Sequence, residues 1–354
     1  MAARDNVPHR RVLLDDVARM AKVSRSTASR ALVDDPRISQ PTRTAVKHAA
    51  SELRYVPNAA ARSLRAQRTR ILGLLLANLS DPVHGQIAAA FEQEAGHAGY
   101  RVIFVAGLND PVRERLALKI FTEHGADGVA IVSSVLAPSE ARTCVPAGRL
   151  VIVQPDHHSV LRLRGPLSAG IIQTDDAEGV GAAVDHLVRA GYRDIGYVES
   201  GVRASNTVRG AAVERALRDH GIRRPMRRFM ASEDAWRDPE GIAALIAGEP
   251  PGALICYDDK LALALMDALR RHGIRAPEDI GIVGFDGIPF AAISNPRLTT
   301  VATPSAELGR LAAASLIEAI QTGALPPAAL LPVELVIRES TRASVTGSVG
   351  GLRA

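Results

Sequence analysis

Apolar residues recur at Leu14, Val17, Ala18 and Ala21, the spacing of one stripe on a short helix. Lys22-Val23-Ser24 reads as a tight turn, with Ser24 placed to N-cap a second helix over Arg25 to Leu32. On that helix Ala28, Ala31 and Leu32 share the inner side, which turns Arg25, Ser26, Ser29 and Arg30 outward. A third helix is predicted from Pro41 to Leu53, with Val46, Ala50 and Leu53 inward and Ser39 near its start. Two helices joined by a tight turn, the second showing small polar and arginine side chains, follow helix-turn-helix logic, in which the second helix enters the major groove. Arginine can fork onto guanine, while serine and threonine both donate and accept. By itself the pattern fits any small three-helix domain.

Tyr55-Val56-Pro57-Asn58 leads into Ala59-Ala60-Ala61-Arg62-Ser63-Leu64-Arg65-Ala66, a good helix former whose roughly two turns are too short to hold alone in water. Such a segment can fold where DNA and a second chain support it. Its one large apolar residue, Leu64, suits either a wedge entering a minor-groove base step or ordinary packing on the rest of the chain.

Beyond residue 70 the pattern changes. Short uninterrupted apolar runs occur at 71–76, 101–105, 128–132, 150–153, 194–198, 253–256 and 280–283, as in strands buried on both faces. A helical stretch at about 84–98 separates the first two, and helical segments separate most of the others, which argues for parallel sheets covered by helices. Ligands in such folds sit at the carboxyl ends of strands. There the chain places Asn78 and Asp81-Pro82-Val83-His84, then Tyr257-Asp258-Asp259, then Gly284-Phe285-Asp286. A single acid at a strand end is as readily a helix N-cap, whereas several converging acids describe a polar pocket. The only tryptophan, Trp236, lies in a polar stretch, where its ring suits either stacking on a sugar or base or a place in the core.

Length and composition narrow the classes. With 354 residues, 47% hydrophobic and 23% charged, the chain has the make-up of a globular protein of two or three domains. Its charge is unevenly divided: residues 1–70 hold 15 Lys/Arg and 6 Asp/Glu, a balance of +9, so a net charge of +5 leaves the remainder at −4. A basic head on a mildly acidic body points to a polyanion as the partner of the head. Cys144 and Cys256 cannot build a disulfide framework, and no Cys/His spacing resembles a zinc site, so neither metal nor cofactor is expected. No secretory signal and no run of transmembrane length is evident, which makes the cytoplasm the expected location and the Asn78-Leu79-Ser80 sequon a chance match. The chain has no phosphate-cradling loop, no H-E-x-x-H and no G-x-S-x-G elbow. His84, His157, His158 and His186 suggest no triad or metal site, and no enzyme is expected. A solute-binding protein for transport would call for a signal peptide and no basic head.

The run VLLDDVARMAKVSRSTASRAL at 12–32, followed by YVPNAAARSLRA at 55–66, resembles the head and hinge of the lactose-repressor (LacI/GalR) family. The resemblance implies that Arg25, Ser26 and Arg30 read bases and that Ser24, Thr27 and Ser29 position the helix on phosphates. It also implies that Tyr55 and Ala61 join the DNA-binding set, that Asn58 opens the hinge helix and that Leu64 is the minor-groove wedge. Leu13 departs from the usual N-cap threonine, which should weaken the cap by about 1 kcal/mol unless Asp15 or Asp16 compensates.

GADGVAIV, HLVRAGYRDIGYV, the stretch Ser205 to Arg209, DDKLALALMDAL, PEDIGIVGFD and LPVELVIRESTR extend the resemblance over nearly the whole chain. It implies a two-lobed sensor like the periplasmic sugar-binding proteins, crossed three times by the chain, with effector in the cleft. Arg209 would chelate hydroxyls or a carboxylate, Asp258 and Asp286 would accept hydroxyl hydrogens, and Trp236 would stack on the ligand. Asn78 and Asp81 complete the expected effector set. Asp258 stands where most members have Asn, Gln154 where many have Asp, and Ala212 where Gly is usual. An acid in place of an amide removes a donor and adds charge, which leaves room for an effector other than a plain neutral sugar.

The expected organisation is a small all-α helix-turn-helix head at 1–57, a hinge helix and linker at 58–69, an α/β periplasmic-binding-protein-like sensor at 70–345 and a flexible tail at 346–354. The two lobes are expected at approximately 70–173 plus 303–332 and 174–302 plus 333–345. No heptad pattern follows Arg342, which favours a homodimer over a tetramer held by a terminal coiled coil. Such a dimer calls for a palindromic operator in double-stranded DNA, and a small carbohydrate-like effector would be reciprocally coupled to it through the hinge. No membrane partner is expected.

Overall fold

The computed structural model describes residues 12–56, 68–146, 148–154, 170–201, 204–232 and 234–342. The expectations for Asn58, Ala61, Leu64 and the tail from 346 fall outside the described residues. The chain divides into two compact units, Met1–Thr69 and Arg70–Ala354.

Among the described residues, three helices make the first unit: α1 (Leu14–Met20), α2 (Arg25–Ala31) and α3 (Gln40–Glu52). They close on Val17, Ala28, Ala31 and Val46, all at 0% exposure, with Leu32, Leu53 and Tyr55 half-buried against them. Lys22 turns the chain between α1 and α2 in the left-handed region, φ 53°. Ser24 then caps α2, its Oγ accepting from Thr27 N at 3.1 Å. Leu13, at the N-cap of α1, offers no side-chain oxygen. Asp16 answers from the next turn: its Oδ2 accepts from Leu13 N at 2.9 Å, the reciprocal half of a capping box. Part of the weakening expected at Leu13 is thereby offset.

Two six-stranded sheets make the second unit. The first contains β1 (Ile71–Leu76), β2 (Arg101–Ala106), β3 (Gly128–Val132), β4 (Leu150–Val153), β5 (Gly170–Thr174) and β11 (Ala329–Leu331). Its order is β11-β5-β4-β3-β1-β2, all parallel, with Leu74 facing Phe104 on one side and Ala130 on the other. The second contains β6 (Ile195–Ser200), β7 (Arg227–Ala231), β8 (Ala253–Cys256), β9 (Gly281–Asp286), β10 (Thr299–Ala302) and β12 (Glu334–Val336). Its order is β12-β10-β9-β8-β6-β7, parallel except for the antiparallel edge strand β12.

Helices cover both faces of each sheet, which is why the strands read as continuous apolar runs. On the first sheet, α4 (Pro82–His97) and α11 (Ser305–Thr322) pack over Leu72, Leu74 and Leu76. The opposite face buries Leu75 and Ile131 under α5 (Pro111–Glu123) and α6 (Pro138–Cys144). On the second, α9 (Glu240–Gly248) and α10 (Asp259–Arg271) cover Leu254 and Ile282. There α7 (Asp176–Arg189) and α8 (Ala204–Asp219) cover Tyr197 and Ile255. Gly309 lets α11 lie directly on α4, since a Cβ there would stand 2.2 Å from the Ile87 carbonyl oxygen.

The chain passes between the sheets after β5, after β10 and between β11 and β12. Three strands outrun their apolar runs: β2 continues to Ala106, β6 to Ser200 and β9 to Asp286, so Asp286 ends a strand rather than following one. Strands β5, β7, β10, β11 and β12 have no counterpart among the predicted runs. On the edge strand β7 only Phe229 and Ala231 are buried, and β11 and β12 are three residues each, so none of the three shows a long apolar signature.

Candidate functional site

In the head, Arg25, Ser26 and Arg30 are exposed on α2, Ser29 and Thr27 are half-buried, and Tyr55 sits against the core. Arg30 Nη2 donates to Ser26 Oγ at 3.0 Å, one turn apart, and Arg25 Nε lies 3.5 Å from Asp15 Oδ1. The hydroxyls of Ser24 and Thr27 pair at 2.8 Å, so both serve the start of the helix. Exposed bonds of this kind are weak and exchangeable. They align the two arginines without sequestering them, and the row they form can meet base edges and phosphates.

In the second unit five of the six expected effector residues fall in two charged clusters, one centred on the buried Arg209 and the other on the half-buried Lys260. Arg209 lies on α8, with its side chain 7% exposed. Its Nε donates to Asp176 Oδ2 at 2.8 Å and its Nη1 to the Tyr257 carbonyl at 2.6 Å, while Nη2 lies 3.9 Å from Asp286 Oδ1. The guanidinium stacks 3.6 Å from the centre of the Phe285 ring. Burial works against its charge, yet Asp176, Tyr257 and Asp286 outweigh that and hold it protonated. Burial also pushes the Asp286 carboxyl well above the usual carboxylate range, with Arg209 opposing and Asp258, Asp259 and Asp81 reinforcing the shift. Asp286 has φ 105°, a left-handed backbone held at the very end of β9.

Asp176 is reached from the other sheet as well. Gln154, after β4, donates through Nε2 to Thr174 Oγ1 at 2.6 Å, and that hydroxyl donates to Asp176 Oδ1 at 2.6 Å. Gln154 Oε1 also accepts from Thr174 N at 3.1 Å. An aspartate at 154 has no proton to give Thr174 Oγ1 when ionised, so the glutamine is what extends this chain of bonds to Arg209.

The second cation is Lys260, on the first turn of α10. It meets Asp81, Asp258 and the ring of Trp236. Burial works against the lysine charge, but Asp258 and Asp81 raise its pKa above the ordinary value. Burial likewise works against ionised Asp81, and the charges of His84 and Lys260 overcome it, so the carboxyl titrates below its usual range. The Asn78 side chain serves its own turn, its Oδ1 accepting from Ser80 N at 2.9 Å, while its backbone carbonyl lies 2.9 Å from His84 Nδ1. Among the described residues no cluster of three or more His, Cys, Asp or Glu is placed to hold a metal ion, and no helix is long and apolar enough to cross a membrane.

Residues 13–58 match the model of the lacI family of bacterial regulatory proteins, and residues 184–341 match a periplasmic binding protein-like domain. The chain is 30% identical over 303 residues to the HTH-type transcriptional regulator GalR of Escherichia coli (strain K12), covering 85% of this chain and 87% of GalR. The chain belongs to the lacI family of bacterial regulatory proteins. It is also 29% identical over 341 residues to the HTH-type transcriptional repressor CytR of the same strain, covering 93% of this chain and 96% of CytR. A crystal structure of the lac repressor dimer bound to operator and the anti-inducer ONPF aligns with a TM-score of 0.82 at 26% identity, covering 94% of this chain and 100% of that one. These relatives are DNA-binding transcriptional regulators, not enzymes, and the small helical head and two-sheet α/β unit of this lacI-family chain share their architecture.

Sequence reasoning missed Lys260, Asp176, Phe285 and the tie through Gln154 and Thr174. A signal for Lys260 was present: a lysine in the first turn of a helix opposes the macrodipole and calls for nearby acids. Asp176 reads as one more acid at a helix start, and only the fold brings it to Arg209.

The neighbouring Asp259 carries a pH prediction. Fully buried, it accepts from Thr300 Oγ1 at 2.6 Å and from Ile288 N at 2.8 Å, and burial pushes its carboxyl up to about 7. The folded chain therefore keeps this proton to higher pH than an unfolded aspartate does, near 3.9. The resulting stabilisation is complete below about pH 4 and is lost as pH rises through about 7. Asp259→Asn mimics the protonated acid. Between pH 5.5 and 8 its unfolding free energy should fall by about 2 kcal/mol less than that of the unmodified protein, and parallel pH profiles would show that Asp259 does not titrate in this range.

Proposed function

We propose that this chain is a sequence-specific regulator of palindromic operators, in which two copies each lay α2 in a major groove and a polar, carbohydrate-like effector in the sensor sets operator affinity. The observation that carries the reading is the exposed row of Arg25, Ser26 and Arg30 on a short helix seated on a closed three-helix core. Its geometry is that of a recognition helix, and its charge lies within the +9 head. The hinge roles of Asn58, Ala61 and Leu64 belong to the same reading. Support for the effector comes from the buried Arg209 and Asp258 with the half-buried Asp81, Trp236 and Asp286, a mixture of donors, acceptors and one flat ring suited to a polyhydroxylated ligand. Support for the homodimer comes from exposed apolar side chains at the β2 and β7 edges of the two sheets: Phe104 and Met230, with Val112, Leu116 and Leu245 on the adjoining helices.

The test is selection of bound sequences from a pool of random duplexes at moderate salt. Two related half-sites in inverted orientation are the expected result. No enrichment, with residual binding abolished by salt, would reduce the head to a non-specific basic module.

A further inference from the structure

Lys260 has a position that its own helix does not favour. Its side chain is 20% exposed, and its ammonium donates to Asp81 Oδ2, lies 3.5 Å from Asp258 Oδ2 and stands 5.9 Å from the centre of the Trp236 ring. Asp81 uses Oδ1 to cap α4, accepting from Val83 N at 2.9 Å, and Asp258 uses Oδ1 to cap α10, accepting from Leu261 N at 2.8 Å. Each carboxylate thus turns its second oxygen to the same ammonium. The two acids belong to different lobes: Asp81 follows β1 of the first sheet, while Asp258 and Lys260 follow β8 of the second. An ion pair between exposed residues is screened by water and contributes little. This one is largely withdrawn from water, joins residues 179 apart in the chain and uses two of the expected effector residues, Asp81 and Asp258.

We propose that Lys260 is an interlobe latch between Asp81 and Asp258, which an effector must displace to engage those carboxylates. The proposal rests on the sensor reading above and deepens it. An incoming ligand takes the place of the ammonium by offering hydroxyl or amine donors to the two acids. The freed Lys260 no longer ties the first lobe to the second, so occupancy of the cleft becomes a change in the relation of the lobes.

Trp236 is the sole tryptophan, so its emission reports on the latch in the full-length, ligand-free protein. The variants are Lys260→Met, Asp81→Asn, the two together, and Lys260→Arg, each checked for a cooperative thermal transition. Asn retains the capping ability of residue 81. Both single changes should shift the Trp236 emission in the same direction, the double variant should shift it no further than the larger single, and Lys260→Arg should restore at least half of the difference. Affinity for the duplex recovered by selection should change at least threefold, in the same direction, in Lys260→Met and Asp81→Asn. Emission of Asp81→Asn equal to that of the unmodified protein, or single shifts that add in the double variant, would overturn the latch. Shifted emission with unaltered operator affinity would overturn its coupling to the head. Failure to recover any duplex would count against the operator reading alone, because the emission cycle needs no DNA.

Discussion

Arg209→Met should lower the unfolding free energy of the second unit by about 3–5 kcal/mol, the range found when one partner of a buried ion pair is removed. Methionine keeps an apolar stem against Phe285 but leaves Asp176 and Asp286 without their common cation. Asp286 answers the loss by holding its proton more firmly, since burial already disfavours its charge. Asp176 keeps the Thr174 hydroxyl on one oxygen but loses the guanidinium donor on the other. Its charge then faces the interior with one hydrogen bond fewer, and the tie from Gln154 through Thr174 ends on an uncompensated carboxylate. Adding Asp176→Asn should therefore recover part of the loss, a coupling that independent sites do not show. Urea unfolding of the single and double variants measures both quantities. A loss below about 1 kcal/mol in Arg209→Met would mean that the buried pair adds little beyond its own desolvation.

The other large effect is expected in the head. Ala28→Leu adds three carbons at a position with 0% exposure, where α2 meets Val17 of α1 and Val46 of α3. Overpacking of this kind costs about 1–3 kcal/mol, and a three-helix domain of this size has little margin to absorb it. The variant should lose at least 100-fold in affinity for the selected duplex while the thermal transition of the second unit stays where it was. Arg25, Ser26 and Arg30 are all intact in this variant, so the loss would show that their display depends on the small side chains beneath them. Binding within threefold of the unmodified protein would contradict that dependence.

The two predictions also mark how unequally the sequence spoke. The head was nearly transparent: the stripe Leu14, Val17, Ala18 and the inner alanines of α2 gave its helices within a residue or two, because helix periodicity is local. Of its four outward residues, Arg25, Ser26 and Arg30 followed from the same spacing, whereas Ser29 is half-buried. The apolar runs at 71–76, 128–132, 150–153 and 253–256 coincide with strands for a comparable reason, since burial on both faces leaves no alternation to misread. Edge and short strands escaped notice where one face is solvated or the element is only three residues long.

The cleft was legible as a set of residue types and illegible as an arrangement. Asp81, Asp258 and Asp286 stood out at strand ends, yet the same residues serve as helix caps or strand termini, and the sequence alone does not divide those roles. Their grouping around Arg209 and Lys260 joins segments far apart in the chain: 154 to 174 to 176 to 209 in one cluster, and 81 to 260 in the other. What the sequence by itself determined is the set of local elements, the basic head and the row it displays, because those follow from periodicity and charge within a few turns. What only the tertiary structure decided is which acid meets which cation, because a buried ion pair depends on long-range packing that brings both partners out of water together, and no local pattern encodes that meeting.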